Sequence, residues 1–70
     1  MIPENYQEWR YCIETLGEVE LTAAYVNQRL SILQDNQNAE NKKFAKLYGE
    51  DHLRRTVDWF RRAQNELPSR

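Results

Sequence analysis

The sequence predicts an all-α fold: a small bundle of three to four helices in a single domain covering residues 1–70. Three observations carry this. Apolar residues recur at spacings of three and four, the period of a helix face, and not at the spacing of two that marks a strand. Only two glycines and two prolines interrupt the chain, which leaves room for long regular elements. Hydrophobic residues at 40% and charged residues at 30% describe a globular composition, not a disordered one.

The breaks are Pro3, Gly17, the polar run 35–38, Gly49 and Pro68. A first helix is expected over about 3–16, with proline tolerated in its opening turn and Gly17 as its stop. At roughly 100° per residue, Tyr6, Trp9, Ile13 and Leu16 share one stripe, and Tyr11 stands almost opposite. A second helix over about 21–34 carries two stripes: Ala23, Val26, Leu30 and Leu33, and then Leu21, Tyr25 and Ile32, roughly 140° away. Such a helix is either central in a bundle or shared with a partner.

From Asn41 to Leu67 only Gly49 interrupts good helix formers. Phe44, Leu47 and Tyr48 form one stripe, while Leu53, Val57, Phe60 and Leu67 form another that an unbroken helix would point the opposite way. A break at Gly49 lets both face one core, giving helices over about 39–48 and 50–66. The alternative is one continuous helix bridging two subunits.

Charge is divided along the chain. Residues 1–41 hold two cations against seven anions, a balance of −5; residues 42–70 hold eight cations against four anions, a balance of +4. A two-signed molecule can hold itself together, stack on a copy of itself, or offer one sign to a partner.

Catalytic chemistry has little to stand on. His52 and Cys12 are the only residues of their types and fall on different predicted helices, so a nucleophile pair with an orienting third group is not expected. Two such residues cannot complete a four-ligand zinc site, and the glycines are too far apart for a phosphate loop. No cofactor, metal or small-molecule substrate is expected. One cysteine suits a reducing compartment, and the chain has neither an apolar run of membrane-spanning length nor a secretory signal pattern, so a cytoplasmic address is expected.

The function read from these features is non-enzymatic: a regulatory or adaptor module that docks on another protein or on a second copy of itself, a homodimer being expected for so short a chain. The expected interface comprises Tyr11, Leu21, Tyr25, Ile32 and Trp59, the last lying about 100° from its helix's core stripe. The alternative is a nucleic-acid-binding regulator using Lys42, Lys43, Lys46, Arg54, Arg55, Arg61 and Arg62, with the front of the third helix, including Asn41, as a weak helix-turn-helix candidate.

Overall fold

The computed structural model describes residues 2–67; Pro68 and Arg70, a break and a cation in the sequence reading, lie outside them. The fold is all-α. In order come α1 (Tyr6–Tyr11), continued by a π-helical turn (Cys12–Leu16), then α2 (Ala23–Leu33), α3 (Ala39–Tyr48) and α4 (Glu50–Glu66). Helices α2, α3 and α4 pack against one another, and α4, which meets both of the others most extensively, takes the central place expected for the second helix.

Side-chain caps set the starts of α1, α2 and α3. The Asn5 side chain accepts from the Glu8 N–H at 2.8 Å, Thr22 Oγ1 from the Tyr25 N–H at 3.1 Å, and Asn38 Oδ1 from the Glu40 N–H at 2.8 Å. Each satisfies a donor that the first helical turn leaves without a partner. The polar run turns back on itself, Asp35 Oδ1 accepting from the Gln37 N–H at 3.0 Å, as Asp does in tight turns.

The first helix departs from its expected pattern. Its last turn is π-helical, closed by the Gly17 N–H on the Cys12 carbonyl at 2.8 Å. A π turn takes in one more residue than an α turn, so positions beyond Cys12 lag behind the 100° step. Ile13 still reaches the core, but Leu16 swings out to 60% exposure. Gly17 ends the helix without a left-handed conformation, which falls instead on Glu18 at φ 54°. Gly17 sits close to the preceding turn: a Cβ there would stand 3.0 Å from the Ile13 carbonyl oxygen and 3.2 Å from that of Cys12, so that turn would have to give by a few tenths of an ångström.

The core is aromatic. The Trp9 ring meets Phe60 edge-on at 4.6 Å, Tyr6 at 5.5 Å and Trp59 at 6.2 Å between ring centres. The centre of the buried face of α4 is Thr56, Trp59, Phe60 and Ala63, with Leu53 and Val57 moved to its flank. Alternation of size explains this rotation from the expected stripe: small Thr56 and Ala63 leave space between which two large rings interdigitate. Trp59, expected at a free surface, is therefore a core residue at 9% exposure. Leu21 is also corrected into the core, at 5% exposure, and precedes the helix rather than lying on its second stripe.

Helix α1 joins the bundle through long side chains, and its backbone makes few close approaches to the other helices. Besides the Trp9 contacts, the Tyr6 hydroxyl donates to Glu66 Oε1 at 2.7 Å, and the Arg62 guanidinium lies 4.1 Å from the centre of the Tyr6 ring. Arg10 reaches both Glu14, at 2.9 Å, and Glu66, at 3.5 Å.

The sequence reading sets Asn41 at the front of α3 as part of a weak helix-turn-helix candidate. It is buried, and its Nδ2 donates to the Leu33 carbonyl at 2.7 Å, so a side chain of α3 caps the C-terminal end of α2. Gly49 does break the last stretch. It ends α3 and begins α4 in one residue, at φ 93° and ψ 154°, a region essentially reserved for glycine.

Two stability predictions follow from these contacts. Gly49→Ala should lower the urea midpoint with an unchanged slope, by about 1–3 kcal/mol, because the cost is backbone strain and no atom lies within 4 Å of the added Cβ. Asn41→Ala should cost about 1–3 kcal/mol in the same measurement, since it leaves the Leu33 carbonyl buried without its donor.

Candidate functional site: an aromatic cleft

Because large side chains hold α1 away from the other helices, the space beneath it is not closed. A cleft of about 280 Å³ remains there. Trp9 and Ile13 form the α1 side, Tyr25, Arg29 and Leu33 the α2 side, Phe44 and Tyr48 the α3 side, and His52, Thr56 and Phe60 the floor from α4. Ile2 and Pro3 complete the rim.

The turn at Gly49 assembles one wall. It brings the end of α3 against the start of α4, so that Phe44 and His52 stack with ring planes 3° apart and centres 5.8 Å apart. Tyr48 lies 5.0 Å from Phe44 and 6.0 Å from His52, and His52 meets Trp59 edge-on at 5.7 Å. Tyr25 faces Phe60 at 6.2 Å across the floor. The Thr56 hydroxyl is satisfied locally, donating to the His52 carbonyl at 2.8 Å. Arg29 is half-buried in the wall and pairs with the exposed Glu40 at 2.9 Å.

Burial first, and the nearby Arg55 charge second, push the His52 imidazole below its usual value of 6.5. Its place in the first turn of α4, at the positive end of the helix dipole, acts in the same direction. A neutral, stacked imidazole results near pH 7. Among the described residues no hydrogen bond joins Cys12 to His52, and no three His, Cys, Asp or Glu side chains cluster as a metal site requires. The lining of the cleft is mostly apolar and aromatic.

The residues singled out from sequence divide three ways. Tyr25 lines the cleft, half-buried; Ile32 is half-buried elsewhere on α2; Tyr11 stands on the outside of α1 at 52% exposure. Leu21 and Trp59 are inside. The basic residues do not form one unengaged face. Arg54 pairs with Asp51, Arg62 with Glu66, and the Arg61 guanidinium lies against the Gln34 side-chain amide. Lys42, Lys43, Lys46 and Arg55 are exposed and make no ion pair among the described residues.

Sequence reasoning assigned Phe44 and Tyr48 to the core and passed over Arg29. Phe44 is half-buried, while Tyr48 and Leu47 remain 48% and 61% exposed, so the α3 stripe is only partly covered. The available signal was the spacing of Phe44, Tyr48 and His52 by four residues each, which continues an aromatic row across the break.

Compared with protein-family models, with curated proteins and with solved structures, the chain shows no significant match. The cleft itself is the ground for a functional reading.

The depressed imidazole predicts a pH dependence. His52 takes up its proton more readily in the unfolded chain, so its contribution to stability is fully present above about 6.5 and falls as pH drops below that value. The loss levels off once pH passes beneath the folded value. Glu66, held below 4.5 by the Tyr6 hydroxyl first and then by Arg62, stays ionised through this window. The urea midpoint should therefore decline as pH falls below about 6.5, and His52→Phe should flatten that decline.

Proposed function

We propose that this chain is a small non-enzymatic module that binds another protein, and that the aromatic cleft is its docking site. One observation carries the proposal. Rings from all four helices converge on a space that they leave open, with Tyr48 at 48% and Ile2 at 55% exposure at its mouth. Aromatic groups that bury much area at small entropic cost are the usual anchors of protein interfaces. A binding role also suits a cleft whose one imidazole is engaged in stacking.

The partner is read as a different protein. Self-association was expected through the second stripe of α2, but Leu21 is spent on the core and Tyr25 on the cleft. The nucleic-acid alternative has weaker support, because the chain as a whole carries a formal net charge of −1. No described helix is long and apolar enough to cross a membrane, and the lone thiol of Cys12 is compatible with a reducing compartment such as the cytoplasm.

Affinity capture from the native cell tests the proposal. Wild-type protein should retain a partner that Tyr48→Ser loses, while the variant keeps its helical circular dichroism and thermal midpoint within about 1 kcal/mol of wild type, as expected at a half-exposed position. A partner retained equally by the folded variant would place docking elsewhere.

A further inference from the structure

We infer that the partner segment sets one aromatic side chain into the cleft and a carboxylate beside it on Arg29; this rests on the docking role proposed above. Size limits the occupant first. A space of about 280 Å³ admits one large side chain, well short of the face of a helix. The walls then select its kind. Trp9, Tyr25, Phe44, Tyr48 and Phe60 offer ring faces and edges, which favour another ring over an aliphatic branch.

Aromatic walls alone would also suit a cation, since ring faces attract positive charge. The charges decide against one. Among the described residues the lining contains a guanidinium, Arg29, and no carboxylate. Arg55 adds a second positive charge close enough to act on His52. Among the described residues the one carboxylate on Arg29 is that of Glu40, itself 59% exposed, and such exposed pairs contribute only about 0–1 kcal/mol. An incoming carboxylate can share or replace that contact with small loss. The surface is thus complementary to an aromatic residue flanked by acidic ones.

Three capped tripeptides test the inference by amide chemical-shift titration of the full chain: Asp-Trp-Asp, its neutral isostere Asn-Trp-Asn, and Lys-Trp-Lys. The acidic peptide should bind about fivefold more tightly than the neutral one, and the basic peptide most weakly. Shifts should centre on Arg29, Tyr48 and His52. Raising the salt to about 0.5 M should erase the acidic preference in the wild type itself. Arg29→Gln should erase it at low salt. Equal binding of the acidic and neutral peptides overturns the charge assignment but leaves the docking role intact. Tightest binding by the basic peptide overturns it in favour of a cation cage. Absence of shifts from every peptide at about 5 mM overturns the inference altogether, and the capture experiment then decides the docking role separately.

Discussion

The packing of Trp9 against Phe60 and Trp59 is the constraint on which the rest of the structure depends. The short regular part of α1, Tyr6–Tyr11, has few backbone approaches to its neighbours and is held by rings and by the Tyr6–Glu66 contact. A helix of that length has little stability of its own, so tertiary contacts maintain it. The same rings act as spacers. They fix how far α1 stands from α2 and α4, and the cleft is the volume left over. Core and candidate site are therefore two sides of the same aromatic residues: one face of Trp9 and Phe60 closes the interior while another lines the opening.

Much of this fold was legible in the sequence because its helices are punctuated by residues with strong local preferences. Thr22 and Asn38 cap helix starts, and Gly49 separates α3 from α4 where the two apolar stripes demanded it. What escaped was rotation. Thr56 and Ala63 look unremarkable in a hydropathy pattern, yet their small size lets Trp59 turn inward and moves Leu53 and Val57 to the flank. Leu16 fits the α1 stripe by counting and leaves it because the last turn is π-helical, for which no residue gave warning.

The site was less legible than the fold for a related reason. Arg29 and Glu40 meet across eleven positions, and Asn41 reaches back to Leu33 across eight. Such pairings arise from where helices end up, not from periodicity along any one of them. Asn41 illustrates how polarity misleads: a polar residue at a helix front suggests a surface for a ligand, whereas its amide serves a carbonyl that the end of α2 leaves without an intrahelical partner. The arginine pairs divide once the helix is built: Arg54 meets Asp51 and Arg62 meets Glu66 within α4, while Lys42, Lys43, Lys46 and Arg55 stay exposed without an ion pair among the described residues.

Gly49 joins α3 to α4 with no connecting residue to spare, since the same position serves as the end of one helix and the start of the next. Length, as well as residue type, is thereby fixed at this corner. One added residue in either helix near the joint would turn everything beyond it by about 100°, and Phe44 and His52 could no longer lie face to face. Loops elsewhere in proteins absorb insertions at small entropic cost. This corner has no loop to absorb them, so the helix lengths on either side behave as a matched pair.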